Sequence, residues 1–207
     1  MTFDESTLPC LYLVWPSYLL SEPPRADVPD GYVLRSYDDG DDFAIRQLLE
    51  CESWKLSEKE WQDYKDQVLP NGLFLITHTN TNGLVATAGA VHKPNPGRYY
   101  FPFGGNLEYL IVHPEHRGKQ LGSIVSAMVV QRFISAGYDN IRVCVQGFRV
   151  AAIKTYLRLG FVPFLHGEDI YLRWQKICEQ VDWPFEPNKW PKSMNHNQLQ
   201  DPVGKLK

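Results

Sequence analysis

The stretch "HPEHRGKQLG", residues 113–122, has the residue types and spacing best suited to ligand chemistry. Gly118 lies within a cationic cluster, Gly122 follows it, and an apolar run with helical spacing comes next. The cluster consists of His116, Arg117 and Lys119. A strand that passes through a glycine-containing turn into a helix leaves the first N–H groups of that helix able to bind anions. The stretch predicts a pyrophosphate site, although an ordinary turn with solvated cations fits it as well.

Several other site classes are excluded by spacing. No glycine-rich run ends in Gly-Lys-Ser or Gly-Lys-Thr after a strand, which excludes a Walker loop, and the three-glycine spacing of a dinucleotide fingerprint is missing. Cys10, Cys51, Cys144 and Cys178 are scattered, without the paired spacing of a zinc site or a small disulfide scaffold. We therefore expect no metal and four reduced thiols, which suits a cytoplasmic compartment.

A second stretch, "RVAAIKTYLRLGFVPF", carries residues that share one face of a helix. Ala152, Tyr156 and Gly160 recur every four residues, and Phe161 opens the next predicted strand. The combination of this stretch with the first is much more specific than either stretch alone.

Together the two stretches resemble the GCN5-related N-acetyltransferase (GNAT) superfamily. Its cofactor motif is Arg or Gln, two residues, Gly, one residue, Gly or Ala, which Arg117 and Gly122 match. The second stretch matches the later family motif of Ala, Tyr and Gly-Phe, and the order of elements from Tyr32 to about Trp174 is also similar. At two positions the sequence departs from the pattern: Gln120 replaces the middle glycine, and Arg149 replaces a helix-starting asparagine.

The two departures bear on the predicted anion site. Gln120 still has a backbone N–H to donate, so phosphate binding is retained unless that position requires positive φ. Arg149 replaces a small polar side chain with a long cation that can reach a phosphate.

The resemblance implies a fold and a cofactor. The fold is a single α/β (α+β) domain whose central mixed, mostly antiparallel twisted sheet is flanked by helices, with two strands splayed apart at the cofactor site. The cofactor is acetyl-CoA. The residues expected to bind it are Leu110, Ile111, Val112, Arg117, Gly118, Lys119, Gln120, Leu121, Gly122, Ser123, Arg149 and Ala152.

The implied reaction is transfer of an acetyl group to a primary amine by direct attack in a ternary complex. A lysine-like amine has a pKa of about 10.4, so making it neutral at pH 7 costs roughly 4.6 kcal/mol, and a base is expected. The resemblance suggests Glu108 as base, with Leu110 and Val112 on its face of the strand by alternation. It suggests Tyr156 as hydrogen-bond donor to the departing sulfur. A half-exposed strand glutamate and a core tyrosine are the structural alternatives, and His113 is the competing base.

The acceptor is less constrained by sequence. Two segments, "CESWKLSEKEW" and the aromatic loop "HKPNPGRYYFPFGGN", are expected to select it, and Glu50, Glu52 and Asp63 are candidates to attract a cationic amine. A small-molecule amine is the first hypothesis. A peptide or protein amine, and a non-catalytic acyl-CoA sensor, are the alternatives. A homodimer is a further possibility.

Periodicity predicts the elements that must position these residues. Strands are expected at "LYLVW" as an added edge strand, then at "YVLRSY", "LFLITHT", "LVATAGAVHKP", "NLEYLIVH", "NIRVCVQ", "FVPFL" and "IYLRWQKI". Helices are expected at "DFAIRQLLECE", at "SEKEWQDYKDQVL" with a Ser57–Glu60 capping box, at "LGSIVSAMVVQRFISAG" and at "RVAAIKTYLRLG". Asn82-Gly83 predicts a hairpin.

The totals fit one globular domain. The 207 residues are 43% hydrophobic and 13% aromatic, and 21 basic against 24 acidic side chains give a net charge of -3. Such a balance favours neither nucleic acid nor an anionic membrane as partner. We expect a preamble at 1–30, the acetyltransferase-like domain at 31–178 and a tail at 179–207 whose aromatic residues dock in part. The N-terminal segment fits neither a signal peptide nor a membrane span.

Overall fold

A single seven-stranded sheet organises the chain. The structure, a computed structural model, describes residues 8–94 and 104–192, with only the backbone of Glu168 and Asp169. The strands are β1 (Leu11–Val14), β2 (Tyr32–Ser36), β3 (Val68–His78), β4 (Leu84–His92), β5 (Gly104–Val112), β6 (Asn140–Val145) and β7 (Val162–Pro163). Their order across the sheet is β2-β3-β4-β5-β6-β1-β7. β5 and β6 are parallel and the other pairs antiparallel, which confirms the predicted mixed sheet.

Five helices cover the sheet. They are α1 (Asp42–Glu50), α2 (Glu58–Lys65), α3 (Leu121–Ser135), α4 (Val150–Leu159) and α5 (Glu168–Val181). One hydrophobic cluster lies where α3, α4 and α5 pack on one face of the sheet, and a smaller one lies under α1 and α2 on the other. α2 begins with the predicted capping box, since Ser57 and Glu60 exchange both hydrogen bonds. Within the described ranges, no helix combines the length and apolar character needed to cross a bilayer.

The sheet opens between β5 and β6, as the family resemblance implied. The two strands are paired only from Gly104 with Asn140 to Leu107 with Val143, although β5 continues to Val112. Because the parallel ladder stops there, the far half of β5 has a neighbour on one side only. The opening leads towards α3 and α4.

A β-bulge interrupts β5 at the same level. Tyr109 has a φ of 50°, and the register with β4 shifts between the Gly89–Glu108 and Thr87–Ile111 pairs. A bulge inserts an extra residue, so side chains beyond it change face relative to simple alternation.

The bulge corrects the predicted faces of β5. Leu107 and Leu110, three residues apart, both pack in the larger cluster, which unbroken alternation would forbid. Glu108 was expected to share a face with Leu110 and Val112; it lies instead on the opposite side, with Asn106.

Two predicted elements were wrong in type or extent. "IYLRWQKI" was predicted as a strand but lies in α5, because Ile170, Trp174 and Ile177 follow helical spacing and are buried. The helix expected across "SEKEWQDYKDQVL" ends at Lys65, and Val68 already belongs to β3.

The first strand forms, but it is no edge strand. β1 lies between β6 and β7, antiparallel to both. At the other end of the described chain, Trp190 is buried and Trp183 and Phe185 pack against the same large cluster. The domain boundaries expected at residues 31 and 178 stay predictions.

Candidate active site

The stretch from 113 to 122 forms the expected link from strand to helix. After β5, a short 3-10 turn spans Pro114–His116, and α3 then begins at Leu121. Gly118 has a φ of 79° and Gln120 a φ of 61°, so both occupy the left-handed region. Gln120 therefore replaces the glycine of the family motif at a position that does require positive φ, where glycine would be unstrained. Its backbone N–H lies just before the first N–H groups of α3, which have no partner within the helix.

A first cavity, about 600 Å³ in volume, opens beside this turn. The predicted cofactor residues line it from four sources: Leu110, Ile111 and Val112 on β5, Arg117, Gly118 and Gln120 in the turn, Leu121, Gly122 and Ser123 on α3, and Arg149 and Ala152 at the start of α4. Lys119 is the exception, since its Nζ donates instead to the Tyr32 hydroxyl at 3.0 Å. The structure thus brings together all but one of the predicted residues.

Gly122 controls the width of this cavity. A Cβ at this position would lie 3.4 Å from Val112 Cγ2 and 3.7 Å from Leu110 Cδ1, which is ordinary van der Waals contact. A single methyl group fits there, whereas a longer side chain would extend into the space beside β5.

Glu52, in the connection between α1 and α2, lines the first cavity. Its Oε1 accepts a hydrogen bond from Arg117 Nη2 at 2.7 Å, and its Oε2 accepts one from Arg149 Nη1 at 2.6 Å. The Arg149 guanidinium also stacks on the Trp54 ring, 4.7 Å from its centroid. Glu52, predicted as an attractor for the amine, therefore pairs instead with two of the cations that line the first cavity.

A second cavity, about 500 Å³ in volume, adjoins the first. Leu110, Arg149 and Ala152 line both cavities. The two predicted catalytic residues, Glu108 and Tyr156, both line the second cavity and not the first. The two cavities therefore share part of their walls, with the turn predicted to bind an anion at the first and the candidate catalytic groups at the second.

Tyr156 is held in a defined position by packing. It is 4% exposed, belongs to the large cluster and meets the Phe161 ring edge-on. Burial raises the pKa of its phenol well above the ordinary value, so the hydroxyl is protonated at neutral pH. Within the described ranges no protein group hydrogen-bonds to that hydroxyl. It is available as a donor to a ligand.

Glu108 is held through one of its two oxygens. Oε1 accepts hydrogen bonds from Lys93 Nζ at 2.6 Å and Asn106 Nδ2 at 2.8 Å. The side chain is 18% exposed and lies near Tyr64, where its negative charge, after burial, helps to raise the pKa of the Tyr64 phenol. Oε2 has no partner in the described part of the chain and is the oxygen that can accept a proton.

Sequence reasoning missed several residues of the second cavity. They come from strands distant in sequence: Cys10 and Tyr12 from the β1 region, Lys93 and Asn106 beside Glu108, and Arg142 and Cys144 on β6. The β1–β6 register, which pairs Tyr12 with Cys144, brings the residues of the β1 region next to those of β6. No local pattern signals such a pairing.

The two thiols of this cavity interact. A hydrogen bond from the Cys144 thiol lowers the pKa of Cys10 below its ordinary value. The same contact, together with burial, raises the pKa of Cys144. Cys10 is therefore the more nucleophilic thiol of the pair near neutral pH.

The other acceptor candidates lie elsewhere or cannot be placed. Glu50 and Asp63 are exposed on the helices and do not line either cavity. Most of the aromatic loop, residues 95–103, lies outside the described residues. His113 does not line either cavity, and its backbone N–H donates to Val85.

Residues 42–161 match the model of the acetyltransferase (GNAT) family. The match covers more than half of the chain, and the chain belongs to the acetyltransferase (GNAT) family. Members of this family are acetyltransferases and generally use acetyl-CoA. A comparison with curated proteins found no match.

Solved structures of the same fold are similar at low identity. The GCN5-related N-acetyltransferase from Sphaerobacter thermophilus is 17% identical, with a TM-score of 0.55 over 75% of this chain and 49% of that chain. A GCN5-related N-acetyltransferase from Kribbella flavida is 16% identical, with a TM-score of 0.52 over 76% of this chain and 55% of that chain. This chain thus matches about half the length of these structures, and the likeness is one of fold.

Proposed function

We propose that the protein transfers the acetyl group of acetyl-CoA to the primary amine of a small molecule, by direct attack in a ternary complex. The observation that carries this proposal is the pair of adjoining cavities, one at the anion-binding turn and one at Glu108 and Tyr156. When bound, acetyl-CoA supplies the acetyl group as a reactive thioester. The first cavity offers space for the cofactor, and the second is of a size suited to a small acceptor.

The residues of the first cavity fit the cofactor's phosphates. Gly118 and Gln120 have the left-handed backbone that turns successive N–H groups towards one side, and the N-terminus of α3 follows directly. Arg117 and Arg149 add two cations. Both can bind phosphate once they exchange their contacts with Glu52 for the ligand.

In the second cavity, Glu108 and Tyr156 have complementary roles. Glu108 accepts the proton of the attacking amine at Oε2, directly or through water, while Lys93 and Asn106 hold Oε1. The Tyr156 hydroxyl donates a hydrogen bond to the departing sulfur. Beyond Leu107, β5 has no strand neighbour on the side of the opening, where backbone N–H groups can stabilise negative charge on the carbonyl oxygen.

Calorimetric titration with acetyl-CoA tests the first cavity. The native protein should bind, the Gly122→Ala variant should bind with little change because a methyl group fits, and Gly122→Glu should lose binding because it adds bulk and negative charge. Circular dichroism confirms that each variant is folded. Absence of binding by the native protein would contradict the proposal.

Replacement of Tyr156 by Phe separates catalysis from binding. Acetyl transfer to an amine panel should fall by about 10²-fold, with cofactor affinity nearly unchanged. The ring packing is retained and no described hydrogen bond is lost, so thermal stability should change little. An unchanged rate would remove Tyr156 from the mechanism. Cofactor binding without any transfer would favour the alternative of a non-catalytic acyl-CoA sensor.

A further inference from the structure

The charged residues of the second cavity restrict the acceptor beyond its amine. Lys93, Arg142 and Arg149 line this cavity, and Glu108 is its only acidic residue in the described part of the chain. Arg149 is paired with Glu52, so Lys93 and Arg142 against Glu108 leave one net positive charge, and a bare cationic amine would enter a site of its own sign. An acceptor that also carries an anion would balance it.

Lys93 is placed to receive such an anion. Its Nζ donates one hydrogen bond to Glu108 at 2.6 Å, and its side chain is 42% exposed. An ammonium group has three donors, so N–H groups of Lys93 remain for a ligand without loss of the contact to Glu108. Arg142 reinforces the arrangement, since its Nη2 donates to the Lys93 carbonyl oxygen and its buried charge adds to the positive potential.

The amine has its own acceptor atoms beside Lys93. Asn106 lines the cavity and is 6% exposed, and its Oδ1 is buried with no hydrogen-bond partner among the described residues. A buried amide oxygen without a partner is costly, and an N–H group of a ligand would satisfy it. Glu108 Oε2 is a second such acceptor. The position expected for the ligand's amine, at Glu108, and the position expected for its anion, at Lys93, therefore adjoin each other at the Lys93–Glu108 ion pair.

Resting on the proposed function, we infer that the acceptor is an amine that carries a carboxylate or phosphate a few bonds away, and that Lys93 is the residue that selects for this anion. Lys93 Nζ lies 2.6 Å from Glu108 Oε1, which belongs to the same carboxylate as the Oε2 that would contact the amine, so the two ligand groups must lie close together. α-Amino acids and short aminoalkyl phosphates have the required spacing. Long ω-amino acids do not.

Pairs of acceptors that differ only in the anion test this inference. Tyrosine is compared with tyramine, ornithine with putrescine, and O-phosphoethanolamine with ethanolamine; the last pair distinguishes phosphate from carboxylate. The anionic member should have a kcat/KM at least about tenfold higher in the preferred pair. Lys93→Met should abolish the preference, whereas Lys59→Met, the same charge change at an exposed position on α2, should leave it intact.

A binding measurement that needs no turnover accompanies the rates. Cys10 lines the same cavity and has the lowered pKa of the thiol pair, so a ligand there should slow its alkylation by iodoacetamide, followed by mass spectrometry. N-acetyltyrosine should protect Cys10 more than N-acetyltyramine does, and Lys93→Met should remove the difference.

The outcomes separate the inference from the function on which it rests. Lys93-dependent protection without any acetyl transfer would support the anionic subsite and overturn the amine acetyltransferase. Equal rates within every pair, a preference that survives Lys93→Met, or the absence of both transfer and differential protection would each overturn the inference.

Discussion

Glu52 accepts a hydrogen bond from Arg149 at 2.6 Å, which joins the connection between α1 and α2 to the start of α4. The same carboxylate accepts one from Arg117. Both cations line the first cavity, so an anionic ligand bound there competes with Glu52 for them. Cofactor binding and the position of the α1–α2 connection are therefore coupled.

Replacing Glu52 with Gln should strengthen binding of coenzyme A. A partly exposed ion pair contributes up to about 1 kcal/mol, so loss of the competing carboxylate should raise affinity by up to about fivefold. Calorimetry at low and high salt measures this, with Glu50→Gln as a control for an exposed charge on the same helix end. Weaker binding by Glu52→Gln would mean that Glu52 mainly positions the two arginines.

Replacing Gln120 with Gly should stabilise the fold. The left-handed backbone costs a non-glycine residue about 1–2 kcal/mol, partly offset by about 0.5–1 kcal/mol of extra glycine entropy in the unfolded chain. The free energy of unfolding in urea should rise by about 0.5 kcal/mol or more. Lys119→Gly, at the preceding position and outside the left-handed region, should not raise the free energy of unfolding. A decrease for Gln120→Gly would show that its side chain contributes contacts that outweigh the strain.

His116 should make the protein less stable in mild acid. Burial, with the positive charge of Lys119, lowers its pKa from the ordinary 6.5, so below that pH the unfolded chain takes up a proton that the folded protein does not. The free energy of unfolding should fall as pH decreases below 6.5, until the native pKa is reached.

His116→Gln, whose amide can still hydrogen-bond to the Tyr32 hydroxyl, is the matched variant for this effect. Its melting temperature should depend less steeply on pH between 7.5 and 5.5 than that of the native protein. Parallel pH profiles for the two proteins would show that His116 is not the group responsible.

The sequence was most informative where local patterns coincide with function. The turn around Gly118 and the helix that carries Tyr156 combine residue types, spacing and periodicity, and both lie at the cavities as predicted. For the end of the domain the pattern was ambiguous. Ile170, Leu172 and Trp174 alternate as a strand would, but Leu172 is 57% exposed and the buried residues follow helical spacing.

What the sequence did not predict depends on contacts between distant residues. The bulge at Tyr109 could not be predicted from sequence, because no glycine marks it and tyrosine rarely adopts positive φ. The Lys93–Glu108 pair and the meeting of Cys10 with Cys144 follow from strand register, which local periodicity does not specify.

The insertion of β1 between β6 and β7 also affects how the protein is made. β1 leaves the ribosome before the other described strands, yet both strands that pair with it are translated much later, at Asn140–Val145 and Val162–Pro163. At typical rates of synthesis this delay is on the order of ten seconds. Throughout that interval, Leu11 and Leu13 lack the neighbours that bury them completely in the finished sheet. The nascent chain is thus expected to bind chaperones through its first strand until the last quarter of the domain emerges.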